Sequence, residues 1–356
     1  MTQSPVYHLA GAAIRSQQHT LASTVVARQY RLEPPRWEAF GIEGQQKSQR
    51  DVRYHLAYLS EALEAADQSL FVDYVDWARS LYAGLGLGED TLAATLQIMH
   101  DVLPSVLPPD LAAAARGFVT VGLSQLQGAA RTPPSHLRKD APLAQLAQDY
   151  LEALLDSNRR QANGLILRAV EEGSTVRDVY LHVFQPVQRE LGRLWQLGQI
   201  SIAQEHLATA VTQFIMSQLY PRIFATERCG RRLLAACVGD ELHELGIRMV
   251  ADFFEMEGWD TYYLGASTPS TAILSAVAEH RPHLLAISVT MTFHVNTAAQ
   301  LIAELRARKH YTSTPVLVGG YPFNISPKLW QRVGADAVAR DAQDAIAAAN
   351  RLIKSE

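Results

Sequence analysis

Apolar residues recur at helical spacing along the first two thirds of the chain and gather into short β-rich runs along the last third. Val52, His55, Leu56, Leu59 and Leu63 share one helical face, Leu70, Phe71, Tyr74, Val75, Ala78 and Leu81 a second, and Leu92, Leu96, Met99 and Leu103 a third. The third stripe ends in VLPSVLPPD, whose prolines cannot continue a helix. Within an N-terminal segment 1–127, these stripes predict a compact helical domain over residues 30–127, with a frayed or partner-packing helix ahead of it.

GAARTPPSHLRKDAP, residues 128–142, breaks the periodicity on both sides and reads as a linker. Helical spacing then resumes with Leu143, Leu146, Ala147, Tyr150, Leu151 and Leu154, followed by a short helix from Leu165 to Val170. Val176, Val179, Tyr180, Val183, Val187, Leu191 and Leu194 make a third stripe, kinked by Pro186 and stopped at Gly198. A fourth helix starts at Ser201, with Gln204 three residues on as a capping box, and runs through Leu207, Ala210, Phe214 and Leu219. Short connections between the four predict an antiparallel four-helix bundle over residues 143–226.

From residue 231 the period changes. RLLAACVG, DTYYLG, HLLAISVT, TPVLVGG and ADAVAR are apolar runs separated by helical stretches, the pattern of a doubly wound parallel sheet with helices on both faces, here over residues 227–356. The expected class is therefore α plus α/β.

Composition narrows the functional classes. A formal charge of -4 and a pI near 6.3 leave no basic footprint for nucleic acid, and no direct nucleic-acid partner is expected. No apolar run approaches the ~20 residues that cross a bilayer, and MTQSPVYHLAGAAIRS lacks the form of a leader, so a cytoplasmic protein without a membrane partner is expected. Cys229 and Cys237 fit neither a disulfide framework nor a zinc site and read as two buried thiols.

In an open α/β sheet the ligand crevice lies beyond the C-terminal strand ends. Three signals fall there. GDELHELG, residues 239–246, follows the first strand and offers Glu241, Leu242, His243 and Gly246; Ser288-Val289-Thr290 ends the third strand and Gly319-Gly320 the fourth. Each alone is ordinary, since a loop His is commonly a surface residue and a Gly pair a turn. Together, with 41 residues between Gly246 and Ser288 and 28 between Thr290 and Gly319, they resemble the cobalamin-binding signature of methionine synthase and the corrinoid mutases. The resemblance implies that His243 ligates cobalt from below, with a carboxylate on its other ring nitrogen fixing the tautomer. It also implies that Ser288, Thr290, Gly319 and Gly320 line a slot for the cofactor's tail. Glu241 stands where the commonest form of the signature has Asp.

LWQLGQISIAQEHLAT, residues 194–209, places nine residues between Trp195 and the adjacent Glu205-His206. A bundle carrying W-x9-E-H ahead of a cobalamin domain resembles the light-sensing repressors of the CarH type, in which these residues cover the upper face of adenosylcobalamin. An aromatic wall and a carboxylate acceptor suit the π-face and hydroxyls of an adenosyl group, whereas a methyl group offers neither. In the resembled photoreceptors a His that can reach cobalt after photolysis follows the Trp; here Gln196 does.

No winged helix is legible in residues 1–127. A helical, globin-like domain ahead of this cap is similar to the photocobilins, which pair cobalamin with a bilin such as biliverdin. On that resemblance Arg50, Arg53, Tyr54, His55, Tyr74 and Trp77 are the candidate bilin contacts; the competing expectation is a dimerisation domain whose aromatics serve its core. The expected function is a non-enzymatic light sensor that binds adenosylcobalamin, acts through its oligomeric state, dimeric or light-dependent, and signals to a separate partner. The rival is a corrinoid methyl carrier, which has no use for an adenosine-binding set.

Overall fold

The computed structural model describes residues 5–38, 41–130, 132–308, 311 and 313–353. The chain divides into two compact units, residues 1–131 with 325–329, and residues 132–324 with 330–356.

The first unit contains α1 (Pro5–Ser16), α2 (Gln18–Leu32), α3 (Pro34–Glu38), α4 (Gly41–Glu64), α5 (Gln68–Gly84), α6 (Glu89–Val106) and α7 (Pro109–Leu126). The segment ahead of residue 30 is not a frayed helix waiting for a partner. Ala10 and Ile14 of α1 and Leu21, Val25 and Val26 of α2 are core residues of this unit. Gly11 permits the close crossing of α1 on α4, because a Cβ there would stand 2.6 Å from the Ser60 carbonyl oxygen. Ser60 Oγ donates to the Gly11 carbonyl at 3.0 Å, and Arg15 pairs with Glu61 and Glu64 one turn on.

In the second unit, α8 (Ala144–Leu155), α9 (Arg159–Glu171), α10 (Val176–Val179), α11 (Gln185–Gln196) and α12 (Ile202–Gln218) form the bundle. Part of the expected linker lies fastened to it. The His136 amide donates to Glu190 Oε2 at 2.8 Å, and Glu190 is itself held by Arg193. Between α10 and α11 the backbone opens into a π turn, Tyr180–Phe184, with the Gln185 amide on the Tyr180 carbonyl. Pro186 explains it: a proline has no N–H for the preceding turn, and its ring crowds the carbonyl four residues back. Ser201 and Gln204 make the expected reciprocal capping box at the start of α12. A short α13 (Tyr220–Ile223) leads out of the bundle.

The sheet follows, with β1 (Arg232–Val238), β2 (Asp260–Thr268), β3 (Leu284–Ser288), β4 (Val316–Gly319) and β5 (Ala337–Ala339), all parallel and ordered β2-β1-β3-β4-β5. Its helices are α14 (Leu245–Met256), α15 (Ser270–His280), α16 (Val295–Ala307), α17 (Tyr321–Ile325), α18 (Leu329–Arg332) and α19 (Ala342–Ile353). Helices on both faces explain why β1 and β3 read as unbroken apolar runs rather than as alternating ones. The strand order reverses between β1 and β3, so the switch-point crevice opens where Val238 and Ser288 end their strands. Cys237 is buried in β1 and burial pushes its thiol up to about 12, but Cys229, expected to be buried as well, is exposed.

Candidate cofactor site

His243 stands on the loop beyond β1 with more than half of its side chain exposed, while Glu241 beside it is fully buried. Four contacts fix the Glu241 carboxylate. Its Oε1 lies 2.5 Å from His243 Nδ1 and accepts the His243 amide at 3.1 Å; its Oε2 accepts the Thr290 and Met291 amides, both at 2.8 Å. Burial pushes this carboxyl up, yet the hydrogen bonds from His243 and Met291 outweigh it and hold the group at about 2. A carboxylate accepts only, so the Nδ1 position carries the proton and the Nε2 lone pair is left for a ligand. The longer Glu arm thus spans the distance that the signature's usual Asp would have to cover. The loop also bridges the switch point, since Glu241 belongs to the β1 side and Thr290 and Met291 to the β3 side.

The motif glycines serve two different purposes. A Cβ on Gly320 would fall 1.9 Å from the Val289 carbonyl oxygen, at φ +111, and one on Gly319 would fall 2.9 Å from the Ala339 carbonyl oxygen. The chain's own backbone therefore requires both, a stronger reason for glycine than room for a tail. Gly246 is different: a Cβ there would meet nothing of the protein within 4 Å, so packing within the chain gives no reason for its small size. Leu242, 71% exposed, presents an apolar surface beside His243, and Ser288 lies buried in register with Cys237 and Gly319.

On the bundle, Trp195 is half-buried near the end of α11, and Glu205 and His206 occupy the first turns of α12. Glu205 Oε2 lies 2.5 Å from His206 Nδ1, and its Oε1 lies 2.9 Å from Thr209 Oγ1. Thr209 Oγ1 is also 3.1 Å from Gln188 Oε1, and Gln188 donates to Thr212, next to Tyr150 in the bundle core. This network orients Glu205 from behind. His243 is pushed up first by its bond to Glu241, and the charge of Glu205 adds to that shift.

Two further residues escape a reading of the sequence. His294, in the 3-10 turn Thr292–His294 that follows β3 and leads into α16, is buried against Gly239 and within the fields of Glu241, Asp240 and His243. Glu244 follows His243 and bonds both the bundle and β2. Both lie between a C-terminal strand end and the following helix, the one signal that would have marked them.

The candidate bilin contacts separate into two groups. His55 is buried, with Tyr74 Oη 2.6 Å from Nδ1 and Tyr82 Oη 3.2 Å from Nε2, so both ring nitrogens are engaged. Tyr74 stacks on Tyr58 at 3.7 Å between ring centres and lies 6.1 Å from the ring of Trp77. Arg50 and Tyr54 are exposed and Arg53 is half-exposed, with Arg50 beside Asp51. The buried rings therefore fill one another's space, as in a core, while Arg50 and Tyr54 face solvent.

Among the described residues no three His, Cys, Asp or Glu side chains gather to hold a metal ion, and no helix is long and apolar enough to cross a membrane. A single imidazole donor is what a metal already held by a macrocycle requires of a protein, so the donor set fits cobalamin.

Comparison with known proteins agrees with this geometry. Residues 159 in extent, 44% of this chain and 52% of the relative, are 30% identical to the HTH-type transcriptional repressor CarA of Myxococcus xanthus, so the chain spans about half the length of that protein. Monomethylamine corrinoid protein 1 of Methanosarcina acetivorans is 24% identical over 53% of this chain and 89% of its own length. The structure of the Methanosarcina barkeri monomethylamine corrinoid protein superposes with a TM-score of 0.52 at 20% identity, over 60% of this chain and all of that one, and so shares the fold. Family models described as B12 binding domain match residues 146–220 and residues 231–350: the bundle and the α/β domain are the two B12-binding parts of this chain.

Proposed function

We propose that the protein is a light sensor that binds adenosylcobalamin, and that it works by exchanging quaternary or partner contacts rather than by catalysis. His243 would take the lower face of cobalt through Nε2, with Glu241 holding the imidazole. Trp195, Glu205 and His206 would enclose the adenosyl group above, with Leu242, Gly246 and Ser288 along the cofactor's lower side. When bound, the cofactor supplies a cobalt–carbon bond that visible light cleaves. The chain's residues would bind and orient it, and Glu205, backed by Thr209 and Gln188, would accept hydroxyl donors of the ribose. The observation that carries the reading is the Trp195, Glu205 and His206 set on the bundle, with Glu205 close enough to His243 for its charge to be felt there. The likeness to a CarA repressor over the matched region supports it.

The methyl-carrier reading keeps its own support. The corrinoid-protein relatives are covered over most of their length, and they share the bundle and sheet. The test is binding of adenosylcobalamin against methylcobalamin in the dark. A clear preference for the adenosyl form, lost in Trp195→Ala, supports the sensor, while equal binding or preference for the methyl form supports the carrier. Salt-sensitive binding to duplex DNA would instead place the chain with repressors. The proposal does not extend to a bilin at His55 and Tyr74, whose polar atoms are already satisfied.

A further inference from the structure

Glu244 is unusually well anchored for a residue beside a loop ligand. Its Oε2 accepts Tyr263 Oη at 2.8 Å and the Ala266 amide at 3.0 Å, both on β2, and its Oε1 accepts Gln213 Nε2 at 2.7 Å, on α12. Strand β2 is shaped around this carboxylate. The β1–β2 register slips after Tyr263, Gly265 takes φ +79, and a Cβ on Gly265 would stand 3.1 Å from Glu244 Oε2. A bulge that re-aims a strand next to a site is a built feature.

The bond to Gln213 is also the first rung of a polar series. Along α14 and the residue before it, Glu244, Arg248 and Asp252 follow at i, i+4 and i+8, on one helical face. Gln213 donates to Glu244, Arg248 donates to Ser217, and Tyr180 donates to Asp252. Gln213, Ser217 and Tyr180 are all bundle residues. The rung nearest the site joins the residue after His243 to the helix that carries Glu205 and His206.

We infer that Glu244 is a positioning residue that couples α12 to the His243 loop through Gln213, so that a shift of the helix above the cofactor loosens the imidazole below it. The inference rests on His243 being the axial ligand. With the Gln213 rung intact, Glu244 is braced from β2 and from α12; with it broken, Glu244 is braced from β2 alone. A hydrogen bond to a charged group lost in this way corresponds to roughly a tenfold to hundredfold gain in loop opening.

The test uses the full chain. Hydrogen exchange of the Glu241, His243 and Glu244 amides is followed without cofactor in wild type, Gln213→Leu, Gln213→Glu, the exchanged pair Gln213→Glu with Glu244→Gln, and Ser217→Ala. The exchanged pair keeps every bond with donor and acceptor reversed across the rung, since a Gln at 244 still offers its oxygen to Tyr263 and Ala266. Expected are about tenfold faster exchange in each single rung variant, restoration in the pair, and no change in Ser217→Ala, whose rung lies one turn away. Unchanged exchange in Gln213→Leu, or failure of the pair to restore it, overturns the coupling. In parallel, cob(II)alamin bound to protein with ¹⁵N-labelled histidine reports axial nitrogen by electron spin resonance. A wild-type signal without histidine splitting would sink the axial reading itself. Splitting in wild type and to the same extent in Gln213→Leu would sink only the coupling.

Discussion

Replacing Glu241 by Gln changes one atom's chemistry and almost no volume, which makes its consequence calculable. The carboxylate now accepts four N–H groups, three of them backbone amides, those of Thr290 and Met291 on Oε2 at 2.8 Å and that of His243 on Oε1 at 3.1 Å. A carboxamide has one acceptor oxygen, and the two shorter backbone donors, both on Oε2, outweigh the single longer His243 amide on Oε1. The oxygen therefore goes to Thr290 and Met291, and the NH2 turns to His243 Nδ1, 2.5 Å from the present Oε1. That contact stabilises the opposite tautomer, with a lone pair on Nδ1 and the proton on Nε2, the nitrogen needed for cobalt. Cobalamin binding through His243 should fall about 10–100-fold, the usual cost of losing the group that orients a metal-ligating His, equivalent to about 1.4–2.7 kcal/mol. Glu241→Ala should also strip all three amides of this acceptor and lower stability by about 1–3 kcal/mol for each left buried and unsatisfied. The assay is titration of cobalamin by absorbance, with the axial ligand read from the spectrum and folding checked by thermal melting. A Glu241→Gln protein that binds as tightly as wild type, with the same axial signature, would refute the reasoning.

Other expectations follow from single positions. Gly320→Ala places a Cβ against the Val289 carbonyl at a positive φ and should cost several kcal/mol, read as a large fall in Tm, while Gly246→Ala should leave the apoprotein's Tm nearly unchanged. Burial pushes Asp252 up from 3.8 to about 6, against the pull of Tyr180, Arg248 and Tyr220. The folded state therefore favours the neutral acid: stability is fullest below about pH 4, is lost as pH rises towards 6, and is level above that, a change of about 3 kcal/mol that Asp252→Asn should abolish in melts across this range. Burial lowers His55 from 6.5 to about 4, so its effect has the opposite sense. Stability is full above pH 6.5 and falls by about 3 kcal/mol as pH drops to 4, a slope that should be missing in His55→Gln.

Local spacing carried much of the molecule, and long-range pairing carried the rest. The Glu241–His243 pair could be read from two residues' separation, as could the Ser201–Gln204 cap, because both are made within one turn of chain. The strands were legible as apolar runs, except that DTYYLG stops at Gly265 while β2 continues to Thr268. Gly265 reads as a strand end, and only the Glu244 carboxylate, 21 residues before it, explains why the strand bulges there instead. The same holds for Gly320, whose partner Val289 lies on another strand end, and for Glu244, whose three partners lie on β2 and α12. The aromatic set around His55 shows what spacing leaves out. Tyr, Trp and Arg at regular spacing suggested a pocket wall, but spacing does not say that Tyr74 and Tyr82 spend their hydroxyls on His55.

The central claim, light sensing through an adenosyl group held over His243, is tested most directly by one experiment on the full chain. Protein loaded with adenosylcobalamin in the dark is examined by absorption and size-exclusion chromatography before and after green light, beside the Trp195→Ala and Glu205→Gln variants and a methylcobalamin control. The expected result is retention of the adenosyl form in preference to the methyl form, a light-driven spectral change with a change in elution volume, and weakened adenosyl retention in both variants. Equal retention of the two forms, unaffected by the substitutions and with no change in elution on illumination, would contradict it.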